Sequence, residues 1–197
     1  MPQNPVSLPA YWRLVRNNRN FRLLWLAQIV SELGDWFYAI AIYSLLLELT
    51  GSAKSIAVAY VLQVLPQVFV APAAGVVNDR MSRKRVMILT DLARAVIVFC
   101  MIWVRSPSLV WVVYLLLLLE TVMWAFFEPG RSAVVPVITS EDELLAANAL
   151  ASITWSVNLA IGASLGGVVA ALLGREAVFV INAVSFLGSA ALIRAMR

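Results

Sequence analysis

Histidine is absent from this chain, cysteine occurs once, at Cys100, and only 13% of the residues are charged. Each shortage excludes something. Without histidine there is no imidazole base, no imidazole metal ligand and no histidine proton relay. One cysteine cannot close an intrachain disulfide, which removes the small disulfide scaffolds. No metal-ligand cluster is visible and no metal or cofactor is expected, and the lack of a paired-aspartate protease motif argues against an intramembrane enzyme. Average soluble domains are about 25% charged, and disordered chains have low hydrophobicity. This chain is 62% hydrophobic, with a mean hydropathy of +0.87. What remains is an all-α integral membrane protein.

A spanning helix takes about 20 residues, so the length accommodates about six with tight loops. Two charge-free runs stand out, Ser55 to Val77 and Leu144 to Gly174. The full reading is six helices: Phe21 to Glu48, Ser55 to Asn78, Lys84 to Val104, Ser108 to Glu128, Glu141 to Leu173 and Arg175 to Met196. Residues 1–20 form a preceding cytoplasmic segment and residues 21–197 the transmembrane domain. Turns are expected at Thr50–Ala53, Asp79–Arg83 and Arg105–Ser108, with Pro129-Gly130 ending the fourth span. Ser140 with Glu143 reads as a capping box opening the fifth, and Gly174 as the C′ glycine closing it.

Basic residues set the orientation. Eleven fall on one side, from Arg13, Arg16, Arg19 and Arg22, the Arg80–Arg85 loop, Arg131 and the tail; Lys54, Arg105 and Arg175 are the three opposite. Both termini are therefore expected in the cytoplasm, in a multi-pass protein of the inner (plasma) membrane. The same bias accounts for the basic pI of about 9.6 without a nucleic-acid partner. The amino-terminal stretch does not read as a signal peptide. Leu8 to Val15 reads as an amphipathic surface helix, and Trp25, Trp103 and Trp111 as interfacial aromatics.

The loop after the second span, Gly75-Val76-Val77-Asn78-Asp79-Arg80-Met81-Ser82-Arg83-Lys84, fits G-x-x-x-D-R-x-[GS]-R-[RK]. It resembles motif A of the major facilitator superfamily, with Ser82 at a commonly glycine position. Asn20 to Trp25, Leu33 to Trp36, Asp91 to Arg94 and Glu143 to Leu150 are similar to segments of its macrolide-efflux and enterobactin-exporter-like branch. Gly162 to Gly167 partly matches that superfamily's antiporter motif, with Ala163 at the proline position. The resemblance implies a fold equal to the amino-terminal six-helix half of a twelve-helix transporter. It also implies a gating latch at Gly75, Asp79, Arg80 and Arg83, and a central cavity lined by the first and fourth helices.

Such transporters consist of two parallel six-helix halves. The expected function is secondary active transport, a proton-coupled small-molecule export by rocker-switch alternating access, in a parallel homodimer. The small residues Ala147, Ala151, Gly162, Gly166 and Gly167 on the fifth helix, and Ala71, Ala73, Ala74 and Gly75 on the second, are the expected dimer interface. Two alternatives stand beside it: a non-transporting scaffold or accessory subunit, and one half of a split or truncated transporter completed by a separate carboxy-terminal half.

Ionisable groups at mid-membrane are functional candidates. Glu32 and Asp35 share one face of the first helix, and Glu120 lies near the centre of the fourth. These three are the expected substrate and proton-coupling residues, with no basic partner visible nearby. Burial and like charge both favour a protonated carboxyl. Asp91 and Arg94 read as a local structural ion pair towards the cytoplasmic third of the third helix. Gln63, Gln67 and Asn158 read as a polar path, and Glu48 and Glu128 as solvated span ends.

Overall fold

In a bilayer the backbone must satisfy its own hydrogen bonds, and a helix is the way a single apolar segment does so. The computed structural model, which describes residues 7–197, is helical accordingly, with no strand among those residues. Helix α1 (Leu8–Asn17) precedes six long helices: α2 (Arg19–Thr50), α3 (Ala53–Arg80), α4 (Arg83–Cys100), α5 (Val110–Ile138), α6 (Glu141–Leu173) and α7 (Arg175–Arg194). All six, with short 3₁₀ turns extending α4 and preceding α5, are long and apolar enough to cross a membrane. The expected six apolar helices are therefore present. Residues 1–6 of the expected amino-terminal segment lie outside the described residues.

The boundaries follow local chemistry. Asn18 caps α2 by accepting from the Phe21 N–H at 3.0 Å. Gly51 ends that helix with φ +63°, a conformation that disfavours a Cβ. The Ser140 N–H donates to the Glu143 carboxylate at 3.2 Å, the reciprocal arm of the expected capping box.

One boundary needs correction. The fourth span does not stop at Pro129-Gly130; α5 continues to Ile138 with both residues inside it. Pro129 offers no N–H to the Ala125 carbonyl, yet packing against α3 holds the helix through this point. Asn78 donates from Nδ2 to the Phe126 carbonyl at 3.0 Å. Gly130 permits that approach, because a Cβ there would lie 2.7 Å from Asn78 Oδ1.

The main packing partners run in the order α6, α2, α7, α4, α5, α3. The helices thus form an arc with α3 and α6 at its two ends. These end helices expose most of their apolar residues, including Tyr60, Val64, Val68 and Phe69 on α3 and Ile161, Leu165 and Val168 on α6. Two apolar cores fill the arc. One gathers Phe37, Ile42, Leu45, Met101, Leu117 and Phe179; the other gathers Leu14, Phe21, Met87, Phe127 and Ile193. The segments between them carry the buried polar residues Asp91, Arg94, Thr121, Asn158, Asn182 and Ser189.

Gly162 and Gly166, expected to face a second copy, pack inside the chain instead. A Cβ on Gly162 would lie 2.4 Å from Trp36 Cβ, and one on Gly166 would lie 3.0 Å from Phe37 Cα. Ala147 is fully buried in the second core, and the Ala151 carbonyl accepts from Gln28 Nε2 at 3.2 Å. Small residues let helices approach closely; here the helix they admit is α2. Gly162→Ala is therefore expected to destabilise the chain by about 1–3 kcal/mol through overpacking. Thermal unfolding in detergent measures this, and an unchanged midpoint would contradict the α2–α6 packing.

Candidate functional site

Asp35 on α2, Glu120 on α5 and Arg94 on α4 meet at the centre of the arc. Arg94 Nη2 donates to Asp35 Oδ2 at 2.9 Å. Its Nε donates to Glu120 Oε1 at 2.8 Å. The guanidinium is only 2% exposed, while Asp35 and Glu120 are 31% and 12% exposed. This corrects two expectations. The cavity carboxylates do have a basic partner, and Arg94 is no mere local mate of Asp91. A four-bond arginine side chain carries its charge well away from its own backbone, so residue spacing along α4 does not reveal which helices it reaches. The Phe186 ring of α7 lies beneath the guanidinium, 4.0 Å from Cζ to centroid. That places a cation on a π face.

Behind this trio, Asp91 is completely buried. Its Oδ2 accepts from Ser189 Oγ at 2.6 Å. Its Oδ1 has no hydrogen-bond partner and lies 3.8 Å from Arg94 Nη1. Asn182 supports Asp35 from α7, Nδ2 to Oδ1 at 3.4 Å.

Glu32 sits one turn before Asp35 and is held differently. Gln28 Nε2 donates to one carboxylate oxygen at 2.8 Å, and Asn158 Nδ2 to the other at 3.0 Å. Asn158, expected on a polar path, thus fastens α6 to α2. Gln28 also accepts from Arg131 Nη1 at 3.4 Å. Arg131 forms a two-pronged pair with Glu128, 2.8 Å through Nε and 2.6 Å through Nη2. Glu128 and Arg131 were expected at a span end and in a loop. The continuation of α5 puts them in a helix, at i and i+3 on one face. Glu48 keeps its expected place at a span end, paired with Arg175.

Side chains from both clusters line one cavity of about 540 Å³, a size typical of small-molecule sites. Glu32, Asp35, Glu120 and Glu128 face it with Arg94 and Arg131, and Trp36, Trp124 and Trp155 form apolar wall. Gln63 and Gln67 of α3 border it, the first accepting from Tyr43 Oη at 3.0 Å and the second donating to the Gln63 carbonyl at 2.5 Å. Of the cavity residues, the sequence pointed to Glu32, Asp35, Glu120, Gln63 and Gln67; Asn158, also expected on the polar path, is bonded to Glu32 instead. It missed Arg94 and Arg131 as cavity residues, and the one available signal was that both are arginines inside or beside apolar runs.

The motif-like loop lies apart from the cavity. Asp79 and Arg80 are exposed, and Gly75 has open space where a Cβ would stand. Arg83 Nη1 donates to the Ala133 carbonyl near the end of α5 at 3.0 Å.

The family described as transmembrane secretion effector, a major facilitator group, matches residues 12–197. The uncharacterised MFS-type transporter YfiS of Bacillus subtilis is 29% identical over 91% of this chain and 43% of its own length. Macrolide efflux protein A of Streptococcus pyogenes is 33% identical over 78% of the chain and 38% of its own length. The putative bacilysin exporter BacE of Bacillus subtilis is 30% identical over 66% of the chain and 32% of its own length. The chain thus spans less than half the length of these curated relatives. No solved structure matches it.

Proposed function

Because the chain belongs to the transmembrane secretion effector family of the major facilitators, we propose that it is a six-helix half of a secondary active transporter, exporting a small amphipathic cation in exchange for protons. The cavity carries this reading. Four carboxylates face only two guanidiniums there, beside three tryptophans. Such a lining suits a cation with an apolar body, through charge and cation–π attraction. Carboxylates that bind either a proton or a cationic cargo make the two compete, which is the requirement for exchange.

Alternating access needs a second half that rocks against the first. We assign that role to a second copy of this chain, lying parallel against the exposed faces of α3 and α6. Three observations support this occupant. The ends of the arc border the cavity through Gln63, Val64 and Gln67 of α3 and Trp155 of α6. Gly75 on α3 and Gly167 on α6 leave open space where side chains would stand, room for the close approach of another helix. The basic residues bias both termini to one side, the cytoplasmic face of the inner membrane by the positive-inside rule, so two copies pair without inversion. In this reading Gly75, Asp79, Arg80 and Arg83 form the cytoplasmic latch, and Arg83 couples it to α5.

The test is ethidium efflux driven by an imposed proton gradient in proteoliposomes holding this chain alone. Cysteines at Val64 and Leu165, in a Cys100→Ala background, report the contact. Flux together with oxidation to a disulfide-linked dimer is the expected result. Cross-links confined to one copy would exclude the homodimer. Flux appearing only with an added carboxy-terminal half would identify a split transporter, and no flux in either case would leave a scaffold.

A further inference from the structure

Three features converge on Arg94. Asp91 Oδ1 is a carboxylate oxygen sealed in the core without a hydrogen bond. Nearly all such groups in folded proteins are satisfied, so an orphan needs an explanation. Arg94 Nη1 faces this oxygen at 3.8 Å, somewhat beyond the 2.7–3.2 Å of an N–H···O bond. The guanidinium also rests on the flat face of Phe186, which attracts a cation without fixing it by a directional bond.

We propose that Arg94 is a shared counter-ion with two seats, a forward seat on Asp35 and Glu120 at the cavity and a rear seat on Asp91. Asp91 is then the positioning residue that lets the forward carboxylates take up cationic cargo or protons. Sliding about 1 Å across the Phe186 ring brings Nη1 within reach of Oδ1 and draws Nε and Nη2 back from the cavity. Arg94 keeps a charged partner at both ends of the movement. When a cation or protons neutralise the forward pair, the Arg94 charge is met by Asp91. When the forward pair is bare, Arg94 meets it, and Asp91 keeps its bond from Ser189.

The neighbours define the device. Asp35 and Tyr38 come from α2, Asp91 from α4 itself and Glu120 from α5, and all three carboxylates pair with Arg94. Tyr38 Oη is buried without a hydrogen bond nearby. From α7 come only uncharged groups, Phe186 beneath the guanidinium, Ser189 on Asp91 and Asn182 on Asp35. Forward neutralisation therefore leaves Asp91 as the only charged partner for Arg94 within this cluster. A group serving only to fill the core would be satisfied where it stands.

The inference rests on the cavity being the cation site proposed above, and two measurements separate the two ideas. The first is ethidium binding to the purified chain in detergent, followed by tryptophan quenching, with no flux required. Asp91→Asn strands Arg94 in the forward seat and is expected to weaken binding at least about tenfold; Asp91→Glu is expected to restore it. Equal affinity in wild type and Asp91→Asn overturns the proposal. The second is a structure of the Asp35→Asn, Glu120→Gln variant, which needs neither binding nor flux. Arg94 seated on Asp91, with Oδ1 hydrogen-bonded, is expected; a guanidinium left at the cavity with Oδ1 still orphaned overturns it. If the wild type binds no ethidium, the cargo class is wrong and the variant structure alone decides the two-seat mechanism.

Discussion

Replacing Arg94 by alanine is expected to destabilise the chain by about 3–5 kcal/mol, the cost of removing one partner from a buried ion pair. The reason is local and severe. One guanidinium serves Asp35 of α2, Glu120 of α5 and Asp91 of α4, and all four groups lie inside the helix arc. Without it, three carboxylates share a region of low polarity with only Asn182 and Ser189 as donors. Arg94→Lys is expected to fall between, because an ammonium lacks the planar fork that spans Asp35 and Glu120 together. The losses are coupled: combining Arg94→Ala with Asp35→Asn and Glu120→Gln is expected to recover much of the stability, as members of one network are not additive. Thermal unfolding in detergent, with yield of monodisperse protein, reads all three. An Arg94→Ala variant as stable as the wild type would remove the cluster as an organising feature of the fold.

The second large effect concerns transport. Gradient-driven ethidium efflux is expected to fall to the level of protein-free vesicles in the Asp35→Asn, Glu120→Gln variant. Glu32→Gln is expected to lose only part of it. Asp35 and Glu120 touch both the cavity and Arg94, so their neutralisation removes the exchangeable charge and parks Arg94 on Asp91. Glu32 instead accepts from two amide side chains. A glutamine there keeps one acceptor and loses the other bond, worth about 1 kcal/mol. Efflux from the double variant at the wild-type rate would remove both residues from the mechanism. A larger loss from Glu32→Gln than from the double variant would move the coupling site one turn along α2.

How much of this was legible beforehand differs by kind of residue. Six spans were readable because apolar length is a one-dimensional property, and the bilayer leaves the backbone no alternative to the helix. Glu32, Asp35 and Glu120 were readable because a carboxylate in an apolar run is costly without a use. The end of the fourth span was not. Proline and glycine are local breakers by propensity, and only the neighbouring helix, reaching in with Asn78, shows why α5 passes through them. The same continuation turned Glu128 from a solvated span end, and Arg131 from a loop residue, into cavity wall.

The small residues illustrate the remaining gap. Sequence spacing says that Gly162 and Gly166 admit a close helix; it does not say which one. The structure answers with α2 of the same chain and leaves Gly75 and Gly167 open. Arg94 is the sharpest case. Its i, i+3 relation to Asp91 is written in the sequence, but its bonds to Asp35 and Glu120 join positions 59 and 26 residues away. Sequence by itself determined the number of helices, the charge bias between their ends and the family resemblance, all of which depend on composition and local order. Tertiary structure alone decided which charges meet, because an ion pair across helices depends on their packing order and on the reach of a long side chain.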